Sequence, residues 1–106
     1  MASTKRILPE PFVESIRIEG RRLNATRITV FGSATFQGLS ARDVDLLVVS
    51  DTFYDVPYQD RREMVNLPPG PIYDVWCLTS AEFADRRHTF LMFQTGLAGR
   101  EVDLWP

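Results

Sequence analysis

Two aspartates one residue apart, Asp43 and Asp45, and a third further on, Asp74, are the residues whose type and spacing suit metal chemistry. In an extended strand, residues i and i+2 project from one face, so Asp43 and Asp45 point together while Val44 faces the other way. Carboxylates about 4 Å apart repel by roughly 4 kcal/mol at an effective dielectric of 20, so something positive is expected between them. Oxygen ligands without histidine or thiolate favour magnesium or manganese over zinc. Asp74, in Tyr73-Asp74-Val75-Trp76, opens a second apolar run. If that run pairs beside the strand of Asp45, three carboxylates can bind two ions roughly 3.5–4 Å apart. Such a pair activates an attacking oxygen and steadies a leaving phosphate.

Gly32-Ser33, ten residues upstream of Asp43, supplies the complementary half. Glycine lets the backbone turn sharply, and a helical turn begun by Ser33 presents free N–H groups to phosphate oxygens. No Gly-Lys-Ser/Thr occurs, which excludes a Walker loop.

The elements that must position these residues follow from pattern. Phe12, Val13, Ile16 and Leu23 recur at near-helical spacing and predict a helix from Pro9 to about Leu23, after a loosely ordered start over residues 1–8. Arg27-Ile28-Thr29-Val30-Phe31 is β-branched and aromatic, a strand that Gly32 stops. A helical turn is expected from Ser33 to Phe36, then a strand over Asp43–Val49, apolar on both faces as in the middle of a covered sheet. Tyr58 to about Leu67 reads as a surface helix, with Arg61 and Arg62 on its wet side or, alternatively, in contact with nucleotide phosphate or a charged partner. Pro68-Pro69-Gly70-Pro71 breaks it and delivers the chain into a strand over Ile72–Leu78. Thr79 and Glu82 have the spacing of a capping box, so a helix starts near Ser80. A further helical stretch runs through Phe90, Leu91 and Phe93, with Arg86, Arg87 and His88 on a solvent face. Glu101–Leu104 closes the domain as a short edge strand. The fold expected is α/β (α+β): one domain over residues 1–106, a small mixed β-sheet with helices packed on it.

Hydrophobic residues are 44% and charged residues 25% of the 106, ordinary for a globular domain. No apolar run has the length of a membrane span, and Met1–Arg6 lacks a secretory leader, so a cytoplasmic protein without membrane contact is expected. The single Cys77 excludes an internal disulfide and reads as a small buried thiol. Net charge is −2, which gives no reason to expect nucleic acid as a partner, and nothing in the composition sets an oligomeric state. Trp76 reads as core and Trp105 as an exposed aromatic, while Asp51, Asp55, Asp60 and Asp103 read as solvated acids.

The run Gly32-Ser33-Ala34-Thr35-Phe36-Gln37-Gly38 followed by Asp43-Val44-Asp45-Leu46-Leu47-Val48 resembles the signature of the DNA polymerase β-like nucleotidyltransferase superfamily. With Tyr73-Asp74-Val75 and Thr79-Ser80-Ala81-Glu82-Phe83, residues 20–104 are similar to its minimal nucleotidyltransferases. The resemblance implies that Gly32 and Ser33 contact a nucleoside triphosphate, ATP first among them. It further implies that Asp43 and Asp45 bind two Mg2+ or Mn2+ ions, and that Asp74 binds the catalytic one beside the attacking hydroxyl. The implied reaction transfers AMP to a hydroxyl acceptor and releases pyrophosphate. The implied setting is the antitoxin of a pair with a helical HEPN toxin, and small drugs such as aminoglycosides are the other acceptor class. Gln37 stands where many members carry arginine, Arg42 where serine is usual, and the spacer from Gly38 to Asp43 is short. Those departures motivate the alternative of a catalytically weakened module that binds its partner as a protein.

Overall fold

A computed structural model of the chain describes residues 8–32, 34–40, 43–85 and 101–106. Its first helix, α1, spans Glu10–Arg22, with Pro11 in the first turn, where a missing N–H costs nothing. Glu10 at its start and Arg21 and Arg22 at its end complement the helix dipole. Asn24, at φ 50°, turns the chain out of the helix in the left-handed region that asparagine tolerates.

Strand β1 (Arg27–Phe31) follows, then one helical turn, α2 (Ala34–Gln37), which tightens into a 3₁₀ turn over Gly38–Ser40. Strand β2 (Val44–Val49) and a 3₁₀ turn at Asp51–Phe53 lead to α3 (Tyr58–Arg61), which runs into a 3₁₀ turn at Arg62–Met64. Strand β3 (Tyr73–Leu78), helix α4 (Ser80–Ala84) and strand β4 (Glu101–Trp105) complete the described elements. The sheet order is β3-β2-β1-β4, with β1 antiparallel to both β2 and β4, and β2 parallel to β3. This is the small mixed sheet with packed helices that the pattern predicts.

The two faces of β2 bury different neighbours. Val44, Leu46 and Val48 join Phe12, Val13 and Ile16 of α1 in the main core, together with Ile28, Val30 and Phe53. Leu47 and Val49 face the other way, with Phe31 and Leu78 and with Trp76 and Phe83 packed against them. Phe31 and Trp76 meet with ring centroids 5.2 Å apart and tilted planes. The end of α1 is tied to the turn that follows β2 by two hydroxyls: Ser50 and Thr52 both donate to the Leu23 carbonyl, at 2.6 and 2.8 Å. They satisfy a carbonyl that the helix end leaves open.

Several elements depart from the pattern. Leu8, expected in the loose start, is buried in the core at 3% exposure; residues 1–7 lie outside the described residues. The helix from Tyr58 stops at Met64 rather than Leu67. Its exit is captured by α1, where Arg22 donates to the Met64 carbonyl and Glu19 accepts the Asn66 N–H at 2.7 Å. That helix is also not simply a wet surface, because Arg61 is 5% exposed. Trp105, expected to be exposed, lies over α1: its indole N–H donates to the Ala25 carbonyl at 2.9 Å. The ring occupies the space a Cβ on Gly20 would need, which explains a glycine inside the helix. Asp51 and Asp103 are exposed, as expected of solvated acids, and are also hydrogen-bonded, the first accepting the Ser80 N–H and the second the Thr29 hydroxyl and Arg27. The predicted helix through Phe90–Phe93, with Arg86, Arg87 and His88, lies outside the described residues. Among the described residues no helix is long and apolar enough to cross a membrane.

Candidate functional site

Asp45 and Asp74 lie side by side at one end of the second sheet face, with Asp43 close enough for its charge to be felt by Asp45. Asp43 immediately precedes β2, and Val44 drives fully into the core, so strand alternation turns Asp43 and Asp45 to the opposite face. The parallel pairing of β2 and β3 sets Asp45 directly beside Asp74. On its other side Asp45 pairs with Phe31, and Phe31 with Glu101 of β4. One row therefore crosses the sheet as Asp74, Asp45, Phe31, Glu101. Glu101 is not a free member of the acid group, since Arg27 donates to it at 2.9 Å. The sequence predicts Glu101–Leu104 only as an edge strand; alternation along it could have put Glu101 and Asp103 on one face, but their row neighbours depend on register.

Asp45 is partly buried, Asp43 likewise, and Asp74 is exposed at the sheet edge. Burial pushes the Asp45 carboxyl up to about 6, with help from the charges of Asp74 and Asp43. Among the described residues no arginine forms an ion pair with any of the three. Their repulsion is therefore uncompensated by the described chain.

Gly32 stands over this group. Its φ of +75° belongs to the left-handed region, and a Cβ built on it would lie 2.6 Å from Asp45 Oδ2. A side chain on Gly32 could enter this space only by displacing the Asp45 carboxylate. The turn is closed by Thr35, whose N–H and hydroxyl both donate to the Gly32 carbonyl, at 3.1 and 2.7 Å. Ser33 lies outside the described residues. Gly32→Ala is expected to cost about 1–2 kcal/mol from the left-handed backbone. The new methyl would also turn the flexible Asp45 carboxylate away from the turn. Urea unfolding of the purified variant measures the cost; an unchanged midpoint would show that the turn relaxes freely.

Three hard oxygen donors with unbalanced charge suit a divalent cation in chemistry. As the side chains lie, however, no three acids, cysteines or histidines among the described residues are gathered closely enough to hold one. Asp45 and Asp74 are brought together, with Asp43 within charge range, but the group is not closed around a coordination centre. Compared with protein-family models, curated proteins and solved structures, the chain matches none of them.

Proposed function

We propose that the chain is a magnesium-dependent nucleotidyltransferase that transfers a nucleoside monophosphate, AMP from ATP, to a hydroxyl acceptor. The observation that carries this reading is the side-by-side register of Asp45 and Asp74 beneath the bare Cα of Gly32, with Asp43 two positions away. Acids with no described cationic partner, set beside a turn whose glycine admits a close approach, are what a nucleotide–metal site requires. Asp43, Asp45 and Asp74 would hold the divalent ions. When bound, these neutralise the triphosphate and make the attacking hydroxyl more acidic. The acceptor oxygen forms a bond to the α-phosphorus as the bridge to pyrophosphate breaks and the hydroxyl proton is released to solvent, and the protein's share is positioning and charge. In this reading the protein is cytoplasmic and the acceptor is a hydroxyl of a protein partner, a helical HEPN toxin, as the sequence resemblance implies.

Purified protein given α-labelled ATP, Mg2+ and a helical partner should label the partner and release pyrophosphate. The Asp43→Asn, Asp45→Asn double variant should do neither. Equal turnover by that variant would refute the assignment.

A second reading, an inert module that binds its partner as a protein, is favoured by the open arrangement of the acids and by exposed Gln37. Titration calorimetry separates the two. The inert module takes up no ATP in the presence of Mg2+ and still binds the partner.

A further inference from the structure

Asp74 stands on a strand at the edge of the described sheet and is exposed, so its place depends on what holds the start of β3. The segment that delivers it is poor in restraints. Pro68, Pro69 and Pro71 bring no backbone N–H, and Gly70 sits at φ +119° with open space where a Cβ would project. Three contacts compensate. The Ile72 carbonyl accepts the Val44 N–H at 2.8 Å. The Tyr73 hydroxyl donates to the Pro68 carbonyl at 2.7 Å. The Tyr73 ring stacks on Phe12 of α1, with centroids 6.5 Å apart and planes within 9°.

Tyr73 and Asp74 are consecutive, so they occupy opposite faces: the ring belongs to the core side and the carboxylate to the site. We propose that Tyr73 is a positioning residue for Asp74, its ring held on Phe12 and its hydroxyl tethered to Pro68 so that the carboxylate stays level with Asp45. The inference rests on the nucleotidyltransferase reading and adds to it a residue that touches neither ion nor nucleotide. Sequence reading had no access to this role, because a tyrosine at the start of an apolar strand is ordinary β composition.

The test is Mn2+ binding followed by electron paramagnetic resonance, with Mn2+ alone and with a non-hydrolysable ATP analogue. Outer partners of metal ligands affect affinity by roughly 10–100-fold, and Tyr73 acts one step further out, so Tyr73→Phe should weaken Mn2+ binding by about 5–10-fold. Phe12→Leu keeps the hydroxyl, removes the stack and should weaken it in the same direction, which covers the case of a poorly folding Tyr73→Phe. Trp105→Phe is the control: it deletes a comparable hydrogen bond, to Ala25, on the strand at the other edge of the described sheet. It should lower thermal stability and leave Mn2+ affinity unchanged. Wild-type affinity in both Tyr73→Phe and Phe12→Leu would overturn the positioning role while leaving the acids' assignment standing. Equal weakening in Trp105→Phe would overturn it too, by tracing the effect to stability. A wild-type chain that binds no Mn2+ in either condition would overturn both the role and the reading beneath it.

Discussion

Asp45→Asn is expected to make the metal-free domain more stable at neutral pH while removing its response to Mg2+ and ATP. The Asp45 carboxyl is pushed from an ordinary 3.8 to about 6, first by burial and then by Asp74 and Asp43. Between those two values the folded chain holds a proton that the unfolded chain has released. Stability therefore falls as pH rises through that window, and the whole penalty is present above about 6. Two pH units correspond to about 3 kcal/mol at most; solvent screening at this partly exposed site brings the expectation to about 1–2 kcal/mol. Asparagine cannot ionise and escapes the penalty. The difference between variant and wild type should be near zero below pH 4 and reach its plateau above pH 6, equivalent to several degrees in melting temperature for a domain of this size. Thermal melts in chelator from pH 3.5 to 7.5 measure it, and parallel curves would contradict the origin given for the shift. Adding Mg2+ and ATP should reverse the order, since saturation at about 100 times the dissociation constant adds roughly 2.7 kcal/mol to wild type alone.

A residue that costs stability in the empty protein and gains its use on binding is consistent with a site rather than a core element. The local half of that site is legible in sequence. Period-two alternation puts Asp43 and Asp45 on one face because Val44 between them must be buried, and Gly32 ends β1 because its neighbours are β-branched and aromatic. The capping box is legible for the same reason: Thr79 accepts the Glu82 N–H and Glu82 accepts the Thr79 N–H, contacts between residues three positions apart. Register is a different matter. Nothing in Tyr73-Asp74-Val75 says that Asp74 rather than Tyr73 lies level with Asp45; that follows from parallel pairing and the Ile72–Val44 bond. Nor does any pattern say that the Cα of Gly32 rests on the Asp45 carboxylate. Long-range capture also explains the misread elements. Trp105 is half-buried because Gly20 leaves a hollow, and Leu8 is buried because α1 carries it across the core. Arg61 looks like any helix-face arginine until β3 and α4 close around it.

Arg61 carries the largest stability effect expected outside the site. Its Nε donates to the Val56 carbonyl at 2.9 Å, one terminal nitrogen donates to the Cys77 carbonyl at 3.0 Å and to Glu82 at 2.5 Å, and the other meets Glu82 at 3.1 Å. The guanidinium also lies 5.8 Å from the centre of the Phe53 ring and 5.6 Å from that of Tyr58. One planar fork thus joins α3, β3 and the first turn of α4, a geometry a lysine ammonium cannot reproduce. Breaking a buried pair by deleting one partner costs more than the pair contributes, because the remaining groups are left desolvated and unmatched. Arg61→Met should cost about 3 kcal/mol, a large share of the roughly 5–15 kcal/mol that holds a domain of this size together. Arg61→Lys should recover only part of it. Arg61 holds the Glu82 carboxyl down to about 2, chiefly through their hydrogen bond, with the capping contacts to Thr79 lowering it further against a smaller opposing effect of burial. A lowered folded value means that this contribution is complete above about 4.5 and is lost as pH falls toward 2. Arg61→Met should therefore be most damaging at neutral pH, and its gap to wild type should narrow in strong acid without closing, since the bonds to the Val56 and Cys77 carbonyls do not titrate. Urea unfolding across that range decides the matter: a constant gap would assign the loss to packing on Phe53 and Tyr58 rather than to the ion pair.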